Sequence, residues 1–123
     1  MEIPKPVGQV APREVPNSQR VSVVKAIVIE VMLTFFWGLA VLAGLRKENR
    51  QMAGFFVGSA VAVGLLCGGI LTGAVMNPVR AFGPAVVSGQ WDFQLIYWVG
   101  PMLGGALAGV ILGQFLFRDD EVG

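Results

Sequence analysis

Asn77, Pro78 and Arg80 stand close together in the stretch "GAVMNPVRAFGPA", residues 73–85, with a long apolar run on either side. Asparagine is a strong helix N-cap, and proline suits the first helical position after it. The pair therefore predicts a short helix starting at Asn77 and ending near Ser88 and Gly89. If that start lies at membrane depth, the positive end of its dipole faces the middle of the bilayer, repelling cations and protons and polarising a neutral solute. The Asn77 side-chain oxygen would cap the helix, leaving its amide NH₂ free to donate to a passing oxygen. Arg80 lies about one turn further on. A guanidinium at that depth needs a cavity and carbonyl partners. The carbonyls of Gly73, Ala74 and Val75 are candidates by proximity in sequence. The other reading is an ordinary loop outside the membrane with a snorkelling arginine.

The elements that must position these residues follow from composition. Hydrophobic residues make up 54% of the 123 and charged residues 14%, with a mean hydropathy of +0.68. Soluble domains carry about 25% charged residues, so this chain is better solvated by a bilayer. Apolar spans are expected over about 21–45, 52–71 and 93–117, each long enough to cross roughly 30 Å of hydrocarbon. The charged run "RKENRQ" joins the first two. Residues 1–20, polar with four prolines, read as an extended tail, and 118–123, "RDDEVG", as a charged one. Trp91, Tyr97 and Trp98 fit an interfacial aromatic belt at the start of the third span. Residues 73–88 are too interrupted to span and too apolar for a wet loop. Irregular backbone is tolerated at membrane depth where protein surrounds it or it lines a cavity. The predicted class is an all-α membrane protein with three transmembrane helices and one re-entrant half-helix.

Several functions are excluded or disfavoured. The net charge of +1, with no basic run interleaved with aromatics, implies no nucleic-acid partner. Histidine is absent and Cys67 is the single cysteine, so neither a His/Cys zinc site nor an internal disulfide is expected. Cys67 reads as small core packing. No nucleophile–base pair or phosphate loop is present, so neither an enzyme nor a cofactor is expected. Glu30 lies inside the first span with Thr34 one turn on, on the same face. It either snorkels, as Lys25 is expected to, or buttresses irregular backbone nearby. Gly105, Gly109 and Gly113 recur every four residues beside Gly104 and Ala108, and Gly54/Gly58 and Gly64/Gly68 repeat the spacing, as helix crossings in membranes require.

"TGAVMNPVRAFGPAV" resembles the second signature of the aquaporin (major intrinsic protein) family, usually Asn-Pro-Ala-Arg. "IEVMLTFF" is similar to the family's fourth helix, "VGSAVAVGLL" to its fifth and "YWVGPMLGGALAG" to its sixth. The resemblance implies half of an inverted-repeat bundle over residues 21–117. It implies that Asn77, Pro78 and Val79 form the pore motif, with valine replacing the usual alanine. By the same resemblance Arg80, Ala74 and Leu65 belong to the selectivity constriction, and the carbonyls of Gly73, Ala74 and Val75 line the pore. Glu30, with Thr34, would buttress the loop. Leu65 and Ala74 suggest a less polar filter than the water-selective type, whereas Ala81, Ala85, Tyr97 and Trp98 follow the water-channel pattern.

The implied function is a passive channel subunit for water and small neutral solutes, multi-pass in a plasma or cytoplasmic inner membrane. One half-helix makes half a pore. The chain would therefore work with a complementary first half or with a second copy, antiparallel, and in a higher oligomer as the family does. Excluding Arg80, four basic residues flank each side of the membrane, so charge gives no orientation. The resemblance puts the 46–51 loop in the cytoplasm. A non-conducting fragment or a structural subunit packing through its glycine faces is the alternative.

Overall fold

The computed structural model describes residues 21–116, and the two tails read from the sequence lie outside them. Four α-helices follow in order: α1 (Val23–Leu45), α2 (Ala53–Thr72), α3 (Pro78–Ser88) and α4 (Gln94–Leu116), with a 3₁₀ helix, Lys47–Met52, between α1 and α2. Among the described residues three helices are long and apolar enough to cross a membrane, and no strand occurs. α1 begins two residues after the apolar run does, because Ser22 caps it by accepting from the Lys25 N–H. The turn into α2 is tightened by Asn49, whose Nδ2 donates to the Ala43 carbonyl at 3.0 Å.

α1 is the central element and packs on both α4 and α2. Its crossing with α4 is made by a row spaced by four: Gly100, Gly104 and Ala108. A side chain at Gly100 would meet the Glu30 Cβ at 2.6 Å, and one at Gly38 of α1 would meet the Ala108 Cβ at 2.7 Å. At Gly104 it would run into the Val31 carbonyl oxygen. Gly105, Gly109 and Gly113 face open space instead, as do Gly54 and Gly58. The glycines expected to make the crossing are thus one position off the row that makes it. On α2, Gly68 lies against Leu33 and Gly64 against the Met76 thioether, which would be 2.8 Å from a Cβ there.

Two further sequence expectations change. Cys67 is exposed on α2 and takes no part in the core. Tyr97 leaves the aromatic belt: it is buried, while Trp91 and Trp98 are exposed and pack edge-on around Phe82, with ring centroids 5.7 Å and 6.5 Å away. Neighbouring residues on a helix point about 100° apart, which lets Tyr97 face inward while Trp98 faces out.

Candidate functional site

The site is built where α2 stops and α3 starts. Gly73 ends α2 in the left-handed region at φ 87°, with its N–H on the Gly69 carbonyl at 3.0 Å. The chain then stays irregular to Asn77. Ala74 (φ 46°) and Met76 (φ 53°) are also left-handed, which side-chain-bearing residues seldom adopt without something to hold them.

Glu30 holds them. Its carboxylate is fully buried and accepts from the Val75 N–H at 3.1 Å, the Met76 N–H at 2.8 Å and the Thr72 hydroxyl at 2.7 Å. Successive backbone N–H groups in this conformation form a concavity that fits an anion. The Thr72 hydroxyl also accepts from the Ala74 N–H at 3.2 Å, and the Tyr97 hydroxyl donates to the Thr72 carbonyl at 2.8 Å. Thr34, grouped with Glu30 from its spacing, has no part in this. Its hydroxyl is buried without a hydrogen-bond partner among the described residues, and its Cβ lies under Gly104. The hydroxyl that serves Glu30 belongs to Thr72, 42 residues away. Short-range spacing carried no signal for it.

α3 begins as its sequence dictates. The Asn77 side-chain oxygen accepts from the Val79 N–H at 2.9 Å, and Pro78 occupies the first turn. Among the described residues the Asn77 amide NH₂ makes no hydrogen bond, so it remains a donor at the positive end of α3. Arg80 is exposed and donates from Nη1 to the Val75 carbonyl at 3.3 Å. Pro84 has no N–H to give the Arg80 carbonyl, so that oxygen lacks its usual helical partner. At the far end, Gly89 closes α3 with its N–H on the Ala85 carbonyl at 2.9 Å. Gln94 ties α3 to α4 by donating to the Ala81 carbonyl at 3.3 Å. This tie was not read from the sequence either.

The other expected positions fall unevenly. Asn77 and Pro78 are half-buried and Val79 is exposed, beside Arg80. Leu65 is exposed on α2, next to Gly64 where Met76 packs. Ala74 is 0% exposed and Val75 2%. Neither offers a carbonyl to a passing solute: the loop has folded against Glu30, and the Val75 carbonyl is taken by Arg80. Of the three carbonyls expected to line a pore, Gly73 alone belongs to a residue with appreciable exposure. No group of three or more His, Cys, Asp or Glu side chains able to hold a metal occurs among the described residues.

This arrangement offers a bare amide donor and a guanidinium tethered on one side, both at the start of a helix that follows a loop hydrogen-bonded to a buried carboxylate. It can bind and orient a small polar solute and disfavour a cation. The Major intrinsic protein family matches residues 6–112, starting inside the stretch read from composition as a tail. The chain is 46% identical over 96 residues to Aquaporin-8 of Notomys alexis, covering 76% of this chain and 37% of that protein. It is 45% identical over 101 residues to Aquaporin-8 of Mus musculus (80% and 38%). It is 43% identical over 106 residues to Aquaporin TIP4-1 of Arabidopsis thaliana (83% and 43%). The chain thus spans less than half the length of these relatives. With a family match over most of its residues and three apolar helices around the Asn77 site, the chain is an integral membrane protein belonging to the major intrinsic protein family.

Proposed function

We propose that this chain lines one half of a passive pore for water and small neutral solutes, in a plasma or cytoplasmic inner membrane. A complementary half or an antiparallel second copy supplies the facing wall. The observation that carries this reading is a free Asn77 amide beside Arg80 at the start of α3, directly after a loop whose Val75 and Met76 N–H groups are bound by Glu30. A donor pair at a helix N-terminus favours the oxygen of a neutral solute and opposes a cation.

Stopped-flow light scattering on proteoliposomes tests it, with the protein reconstituted alone and together with the first three helices of a relative. Osmotic water flux with a low activation energy is expected in at least one arm. Arg80→Ala removes the guanidinium and raises small-solute permeation relative to water by about tenfold, the worth of one charge-assisted hydrogen bond. Asn77→Asp keeps the cap but replaces a donor with an acceptor, and it lowers water flux. Flux equal to empty liposomes in both arms overturns the reading.

A second reading, a subunit that packs without conducting, is favoured by the open face of Gly105, Gly109 and Gly113. It expects Gly109→Leu to abolish assembly while Arg80→Ala and Asn77→Asp change nothing.

A further inference from the structure

α2 ends in a place where its last carbonyls need partners. The final four C=O groups of a helix have none within it, and at membrane depth water cannot serve them. Thr72 is the last residue of α2. The N–H four residues on, Met76, is turned away to Glu30. The Tyr97 hydroxyl donates to the Thr72 carbonyl instead, from α4, at 2.8 Å. Both residues are buried.

From there hydrogen bonds, joined covalently through Thr72 and Val75, lead to the guanidinium. Tyr97 fixes the Thr72 carbonyl. The Thr72 hydroxyl donates to Glu30 and accepts from Ala74. Glu30 accepts from Val75, whose carbonyl accepts from Arg80 at 3.3 Å. The carbonyl to which Arg80 is tied is thus linked to the Tyr97 hydroxyl through Thr72 and Glu30. Resting on the pore reading above, we infer that Tyr97, acting through Thr72, is the positioning residue that aims Arg80, so that one phenolic hydroxyl on α4 sets the solute selectivity of a constriction built on α2 and α3. The ring alone does not do this, because phenylalanine has the same shape and no donor.

The test compares Tyr97→Phe, Thr72→Val and Thr72→Ser with the wild type in the full chain. Two readouts do not depend on flux: amide hydrogen exchange at Val75 and Met76, and the rate at which phenylglyoxal modifies Arg80, read by peptide mass spectrometry. Tyr97→Phe, which loses one buried hydrogen bond, is expected to raise both by about five- to tenfold, and Thr72→Val, which loses the bonds to Glu30 and from the Ala74 N–H, by at least as much. Thr72→Ser, which keeps the hydroxyl, stays at the wild-type rate. In conducting liposomes the same two variants raise small-solute permeation relative to water. Exchange and modification unchanged in Tyr97→Phe overturn the inference. So does an exchange increase spread evenly along α1 and α4, which would make Tyr97 a packing residue only. If the wild type conducts nothing, the pore reading fails, while the exchange and modification rates still decide whether Tyr97 places Arg80.

Discussion

Glu30→Gln should free the loop between α2 and α3 and leave the helices standing. The carboxylate accepts three hydrogen bonds, two at Oε1 and one at Oε2. A carboxamide has one oxygen and one NH₂. With its oxygen toward Thr72 and Val75, the NH₂ confronts the Met76 N–H. Turned over, the NH₂ confronts Val75. Rotation of the Thr72 hydroxyl cannot repair both. At least one buried N–H is orphaned opposite another donor, at about 1–3 kcal/mol, and the charge-assisted character of the remaining bonds is lost. The left-handed backbone at Ala74 and Met76 adds to the effect. It costs on the order of 1–2 kcal/mol per residue and persists only while something over-determines it. Together these predict about 3 kcal/mol, or roughly a hundredfold faster amide exchange at Val75 and Met76, with mid-helix amides of α1 and α4 unchanged. Water flux should fall in parallel. Glu30→Asp keeps the charge but is one methylene short, and should lie between. Loop amides exchanging at the wild-type rate in Glu30→Gln would show that the carboxylate does not hold the loop.

How much of this could be read from the residues divides along physical lines. The cap at Asn77 and the stop near Ser88 and Gly89 are local matters, written in side chains within one turn of the features they control. The three apolar helices follow from length and composition. Glu30 stood out because a charge in an apolar run demands a reason. That it would buttress the loop was implied by the family resemblance, but Thr72 was not foreseen, because it lies more than forty residues away and only the packing of α1 on α2 joins the two. Thr34 illustrates the limit: one turn of separation puts it on the face of Glu30, but says nothing about what lies opposite. Of the carbonyls named as partners for Arg80, Val75 is the one that takes the role, and Ala74 is buried. The sequence shows an irregular segment, but which way its peptides turn depends on the left-handed φ angles that Glu30 imposes.

Helix faces were the least legible feature. In water a helix shows its buried stripe by alternating apolar with polar residues. In a bilayer the outward face is as apolar as the inward one, so that signal is missing. Only small residues mark a crossing, and α4 carries two candidate rows side by side. Gly105, Gly109 and Gly113 make the purer glycine row, yet Gly100, Gly104 and Ala108 meet α1.

That adjacency makes a sharp test: Gly104→Ala should destabilise the fold, while Gly105→Ala, the next residue, should be neutral or stabilising. A methyl at Gly104 would strike the Val31 carbonyl oxygen and come within 3.0 Å of the Phe35 nitrogen and the Thr34 Cβ. Two of the three obstacles are backbone and cannot swing aside, so α1 and α4 must move apart. Overpacking of this kind costs about 1–3 kcal/mol. At Gly105 a methyl meets nothing within 4 Å, and replacing a mid-helix glycine gains up to about 1 kcal/mol. The propensity gain is common to both variants, so they should differ by the overpacking cost, about 1–3 kcal/mol, read as unfolding in a graded denaturing-detergent titration. Gly100→Ala extends the test to the site, because its methyl would press on the Glu30 Cβ and should loosen the Val75 and Met76 amides as well as the crossing. If Gly104→Ala proves as stable as Gly105→Ala, α1 and α4 do not cross on this row. The opposite deviation is equally informative. A Gly105→Ala protein that is stable alone but loses flux or assembly when reconstituted with a complementary half would identify the open glycine row as the surface on which that half seats.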